Sequence, residues 1–151
     1  VDCYGIPTPQ DPLMRITRPK GIGEALIGTI GGPILKWAPL RGVYDKKKHK
    51  GFAAWFSAPL AFSGSKRALL STLRHFMLEN HVPHFQRVDH LNMKKLILWG
   101  KHDRILPLSY GKEVHALMPS ARFEVFDDCG HIPHFEEPEK FNQLALEFLR
   151  S

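Results

Sequence analysis

Apolar positions divide this chain into two stretches of different character. In the second, Lys95-Leu96-Ile97-Leu98-Trp99-Gly100 is a short continuous apolar run closed by a glycine, the pattern of a strand covered on both faces. Beyond a loop, Tyr110, Val114, Leu117 and Met118 recur at helical spacing, and Pro119 closes the run. Arg122-Phe123-Glu124-Val125-Phe126 predicts a second strand. Pro138 suits a helix first turn, and Phe141, Leu144, Ala145, Phe148 and Leu149 supply one stripe of that last helix. Strand, helix, strand, helix implies parallel strands joined by right-handed crossovers, so the predicted fold class is α/β.

The first stretch reads differently. Residues 1–20 carry Pro7, Pro9, Pro12 and Pro19 with little periodicity, which predicts irregular chain. Gly21 to about Leu40 is apolar, and the Gly31-Gly32-Pro33 break predicts two short helices. Ser65 to Asn80 predicts the clearest helix, with Leu69, Leu70, Leu73, Phe76 and Met77 on one stripe and Lys66, Arg67, Arg74 and Glu79 on the other face. Trp37, Phe52, Trp55, Phe56 and Phe62 make this a mostly helical, aromatic-rich layer that packs on a core or shapes a pocket. The domain reading is therefore 1–20 connection, 21–90 helical layer and 91–151 α/β segment. Two strands do not make a parallel sheet covered on both faces. The Leu96–Trp99 run expects a neighbour on each side, which suggests that further strands precede it.

Composition narrows the function classes. With 151 residues, 43% hydrophobic and 24% charged, the chain can bury a real core. The formal charge of +6 comes from scattered residues, apart from Lys46-Lys47-Lys48-His49-Lys50, which reads as a solvated loop. No nucleic-acid motif accompanies it, so no nucleic-acid partner is expected. No apolar run is long enough to span a bilayer, and none is expected in a membrane. The first residues have no signal-peptide pattern and no initiator Met, so the chain was trimmed or starts partway through a longer protein. Cys3 and Cys129 lack both a disulfide framework and metal spacing, and read as semi-buried thiols in a reducing, cytoplasmic compartment. Gly21-x-Gly23 is followed by Leu26 where a dinucleotide fingerprint needs glycine. His81, His84, His90, His131 and His134 do not form a regular three-ligand set, so no metal is expected.

The candidate chemistry lies in the loops after the two strands, where open α/β sheets bind ligands. Asp103 follows the first strand and His131 the second, 28 residues later. Adjacent parallel strands run about 5 Å apart, so the two side chains can meet. A carboxylate on an imidazole fixes its tautomer and stabilises the imidazolium formed on proton uptake. Asp127 and Asp128 stand too close to His131 to leave a separate strand end. His102 reads as a loop residue near a pocket, and His134 as solvated.

Residues 94–150 resemble the C-terminal end of α/β-hydrolase-fold enzymes. The matching pieces are Leu96-Ile97-Leu98-Trp99-Gly100-x-x-Asp103-x-x-x-Pro107, Cys129-Gly130-His131-x-Pro133-x-x-Glu136-x-Pro138 and the closing Phe141-Asn142…Phe148-Leu149 helix. The resemblance implies Asp103 as catalytic acid and His131 as base, in the family's order of nucleophile, acid, histidine. It also implies that Val1-Asp2 ends the preceding strand, and that about 21–88 is a cap over an apolar substrate pocket.

One expected element is missing. A G-x-S-x-G elbow is absent around Ser57, Ser63, Ser65, Ser71, Ser109, Ser120 and Ser151. The nearest approach, Ala61-Phe62-Ser63-Gly64-Ser65, falls in the cap and reads as a turn at Ser63-Gly64 with Ser65 as a helix cap. The oxyanion-hole donors belong to the same missing N-terminal half, so the fragment alone is expected to be inactive. The expected whole is a serine hydrolase of an ester, thioester or C–C bond in a small apolar substrate, with water as second reactant and no cofactor. The alternatives are a non-catalytic, receptor-like binder, or an epoxide hydrolase or dehalogenase with an Asp nucleophile.

Overall fold

A computed structural model describes residues 1, 3–6, 12–17, 19–29, 31–32, 35, 38–77 and 79–151. They fall into two compact units, one formed by 1–4, 41–49 and 82–151 and the other by 5–40 and 50–81. No helix among the described residues is long and apolar enough to cross a membrane.

In the first unit, helix α5 (Val82–Asp89) precedes strand β1 (Leu96–Gly100), helix α6 (Leu108–Leu117), strand β2 (Arg122–Phe126), the single turn α7 (Pro133–Glu136) and helix α8 (Pro138–Arg150). The strands pair in parallel from Leu96↔Arg122 to Gly100↔Phe126. Successive side chains of β1 point to opposite faces, and both faces are covered. Leu98 packs with Phe126 and Cys129 against Phe141 and Leu144 of α8. Trp99 lies toward Tyr110 of α6, with ring centroids 6.1 Å apart, and its indole N–H donates to the Leu106 carbonyl at 3.0 Å. The order strand, helix, strand, helix is therefore the α/β arrangement that the apolar pattern predicts, here with a two-stranded parallel sheet.

Gly111 explains how closely α6 approaches the strand. A Cβ built there would sit 2.5 Å from Trp99 Cδ2 and 2.9 Å from two further indole carbons. Glycine in a helix interior costs about 1 kcal/mol relative to alanine. The fully buried indole leaves no room for the better helix former. The last helix departs from expectation at one position. Phe141, Leu144, Ala145 and Phe148 are half-buried, whereas Leu149 is 76% exposed.

The second unit contains helices α1 (Pro12–Thr17), α2 (Ile22–Thr29), α3 (Phe52–Ser57) and α4 (Ser65–Thr72), the last running on into a π-helical turn, Leu73–Met77. Helix α1 corrects the expectation of irregular chain over residues 1–20. Pro12 stands at the first helical position, where its missing N–H has no intrahelical partner to lose. Pro7, Pro9 and Asp2 lie outside the described residues, as do Pro33, Ile34 and Trp37 of the second short helix expected before Leu40. The turn at Ser63-Gly64 forms, but Ser65 is the first helical residue with Gly64 as its cap, and the Ser65 hydroxyl donates to the Pro59 carbonyl at 2.7 Å.

Arg74 is the other correction. Its place on the polar face of the α4 pattern predicts a solvated side chain, yet that side chain is only 10% exposed. The guanidinium donates to the carbonyls of Thr17 and Pro19 and to both carboxylate oxygens of Glu24, at 2.6 and 2.9 Å. It thus joins the end of α1 to the start of α2, a use suited to its planar fork of donors. Of the aromatics here, Phe52 is buried, while Trp55 and Phe62 are 60% and 74% exposed.

Two outcomes follow. Gly111→Ala should lower stability by about 1–3 kcal/mol in urea unfolding despite alanine's higher helix propensity. A neutral or stabilising result would refute the close approach. The Arg74 hydrogen bond holds the Glu24 carboxyl down to about 2, from 4.5. A depressed carboxyl contributes stability that is fully present above its unfolded value and fades as pH falls from about 4.5 towards 2. The acid loss of stability over that window should be shallower in Arg74→Ala than in the unaltered protein. Glu24 is half-exposed, so salt should flatten the difference.

Candidate active site

The parallel ladder brings the two strand-exit loops side by side. Past the last paired residues, Lys101 N–H donates to the Phe126 carbonyl and His102 N–H to the Cys129 carbonyl, both at 2.9 Å. Gly100 makes this possible, because a Cβ there would fall 1.7 Å from the Gly130 carbonyl oxygen. The same approach recurs on the far side of the histidine loop, where a Cβ on Gly130 would fall 2.0 Å from the Gly42 carbonyl oxygen.

Asp103 and His131 meet as the sequence predicts: Asp103 Oδ2 lies 2.7 Å from His131 Nδ1. The Asp103 side chain is wholly buried, whereas 23% of the His131 side chain is exposed. Asp103 Oδ1 accepts the backbone N–H groups of Ile105 at 2.7 Å and Leu106 at 2.9 Å. The carboxylate is thus fixed by its own loop, and its second oxygen is directed at the ring. An ionised carboxylate only accepts, so Nδ1 carries the proton and Nε2 keeps the ring's lone pair. An imidazole held in that tautomer can take a proton at Nε2, with the buried carboxylate stabilising the resulting charge.

The neighbouring candidates take other places. Asp127 pairs on the surface with Lys101 at 2.8 Å, which lowers the Asp127 pKa. His102 stacks on Tyr44, with ring centroids 4.2 Å apart and planes 9° from parallel, and His134 is exposed with its ring edge toward Phe141. Lys46, Lys47, Lys48 and Lys50 are exposed, and Lys48 pairs with Glu137 at 3.1 Å. Cys3 is half-buried and Cys129 fully buried. Among the described residues no three His, Cys, Asp or Glu side chains gather as a metal site.

Glu136 was named above as a position of the matching segment, but pattern reading gave it no role. It is 1% exposed, although it belongs to a segment rich in charge. Oε1 accepts the N–H groups of Gly130 at 3.0 Å and Ile132 at 3.2 Å, and Oε2 accepts that of Tyr44 at 2.7 Å. The available signal was its place three residues after Pro133 in a tight turn, where a carboxylate can reach back to backbone donors.

The strand–helix–strand segment thus sets a buried carboxylate and a histidine at the ends of adjacent parallel strands. The chain belongs to the α/β-hydrolase fold family, whose model matches residues 7–138. It is 41% identical over 63 residues to the 2-hydroxy-6-oxo-6-phenylhexa-2,4-dienoate hydrolase of Burkholderia cepacia, a match covering 42% of this chain and 22% of that protein. A thermophilic esterase from Thermogutta terrifontis superposes with a TM-score of 0.75 at 20% identity, over 99% of this chain and 53% of the esterase. A meta-cleavage product hydrolase from Pseudomonas fluorescens IP01 gives a TM-score of 0.70 at 20% identity, over 99% and 54%. The chain thus spans about half of these solved structures and matches about a fifth of the curated relative.

The hydrogen bonds define a test of the pair. In Asp103→Asn, the amide oxygen is claimed by the two backbone N–H groups, which leaves the NH2 facing Nδ1. The expected result is a switch of neutral His131 to the Nε2–H tautomer, read from imidazole ¹⁵N shifts at alkaline pH. Retention of the Nδ1–H form would show that Asp103 does not set it.

Proposed function

We propose that this chain is the C-terminal part of a serine hydrolase in which His131 is the general base, Asp103 the acid that orients it, and the nucleophile lies upstream of Val1. The substrate is an ester, a thioester or a C–C bond next to a carbonyl in a small, largely apolar molecule. The 2.7 Å contact between Asp103 Oδ2 and His131 Nδ1 carries this reading. The partial match to a dienoate hydrolase favours C–C cleavage within the class. About residues 21–88 are read as the cap, and the pocket is apolar.

In this scheme the serine hydroxyl attacks the substrate carbonyl and His131 Nε2 takes its proton. The imidazolium then gives that proton to the departing oxygen, sulfur or carbon. Water, deprotonated by the same nitrogen, releases the acyl group and returns the serine. No cofactor enters. The 151-residue chain alone has a base without a nucleophile, so its turnover should not exceed background.

The test uses the full-length protein that contains this chain, assayed with a p-nitrophenyl ester and with a 2-hydroxy-6-oxo-dienoate. His131→Gln should lower kcat by on the order of 10³-fold or more, with folding retained by circular dichroism. Full activity of that variant would overturn the assignment. Turnover of the dienoate but not the ester would favour the C–C branch, and the reverse would favour an esterase.

A further inference from the structure

The acid–base pair accounts for how the imidazole ring is aimed, but not for what holds the backbone that carries it. His131 stands between two residues, Gly130 and Ile132, whose N–H groups both end on Glu136 Oε1. The His131 N–H itself points elsewhere, to the Gly42 carbonyl at 2.7 Å. The second Glu136 oxygen accepts the Tyr44 N–H, two residues along from Gly42. The histidine loop and the 42–44 segment are thus joined twice, once directly and once through a buried carboxylate.

We infer that Glu136 is a positioning residue for His131, its ionised carboxylate fixing the loop so that the imidazole meets Asp103. The inference rests on the reading of His131 as general base. Three features favour positioning over general packing. Pro133 opens the α7 turn without an N–H of its own, and Phe135 and Glu136 donate back to the Ile132 carbonyl at 2.9 Å, which brings the side chain over the loop it grips. Both carboxylate oxygens are acceptors of backbone N–H groups, so the site requires an acceptor on each side. An amide supplies one acceptor and one donor, and in either orientation a donor would face a donor. A buried carboxylate is also costly unless its lone pairs are used, and here the hydrogen bonds to it are directed at the backbone flanking the base.

The test is Glu136→Gln in the full-length protein, beside His131→Gln and the unaltered enzyme. Glu136→Gln should lower kcat on the order of 10- to 100-fold, as misplacement of a reacting group by about an ångström does. KM should change by less than about threefold, since the group acts after substrate is bound. The acid limb of the kcat/KM pH profile should move, and the low-field proton resonance of His131 Nδ1–H should shift or broaden. A merely structural role would lower the melting temperature and leave both readouts in place. Unchanged kcat, pH profile and resonance, with His131→Gln inactive, would overturn the positioning role alone. Activity in His131→Gln would overturn the underlying assignment instead. If the glutamine variant does not fold, the unaltered protein decides by hydrogen exchange. Gly130, Ile132 and Tyr44 amides protected despite their loop positions support the clamp, and exchange at unprotected rates overturns it.

Discussion

The parallel pairing of β1 with β2 is the constraint from which the rest of the first unit follows. Its register ends at Gly100↔Phe126, so both chains leave the sheet at the same level. Two further hydrogen bonds, from Lys101 to Phe126 and from His102 to Cys129, carry the contact into the loops. A slip of one residue would reverse the faces of β1, exposing Trp99 to the wrong helix and moving Asp103 away from the ring. Packing and chemistry therefore share one determinant. The side chains that fill the core fix the register, and the register sets the distance between acid and base.

The parts of this arrangement legible in the sequence are those governed by period and by chain order. Continuous apolar character marked Leu96–Trp99 as doubly covered, and helical spacing marked Tyr110 and Val114, which are both buried. Asp103 and His131 could be paired because each follows a strand and adjacent parallel strands are close. What escaped was whatever depends on partners remote in sequence. Arg74 looked solvated because its neighbours on the helix face are charged, yet its donors are taken by Thr17, Pro19 and Glu24, fifty or more positions away. Helix α1 was hidden because proline is a breaker everywhere but at a helix start. Glu136 stood in the segment that resembles the family, but without a role, since no local pattern announces backbone donors converging on it.

Arg74 and Glu136 show one physical rule from opposite signs. Each is a charged group withdrawn from water, and in each the cost of burial is offset by backbone groups that local secondary structure leaves unsatisfied. Arg74 serves carbonyls near the end of α1, and Glu136 serves N–H groups around the entry to α7. Charged side chains are well suited to this, because hydrogen bonds to an ion are stronger than those between neutral groups. Irregular chain that no ladder can satisfy is thereby given a fixed shape.

That rule bears on the proposed chemistry. A general base must be held in place, yet an exposed loop is where backbone order is least. Extending β2 to carry the histidine would satisfy the backbone but would leave the residue in a strand, with its side chain committed to one face of the sheet. The chain turns at Asp127-Asp128 instead, and beyond that turn the N–H groups of Gly130 and His131 are taken by Glu136 and by the Gly42 carbonyl. The imidazole is partly exposed, and its Nδ1 is bound to a buried carboxylate. In the proposed hydrolase, Asp103 has committed Oδ1 to two backbone donors and Oδ2 to the ring. Such a carboxylate suits orientation and charge stabilisation better than proton exchange with solvent, and in the proposed scheme the proton transfers fall to His131.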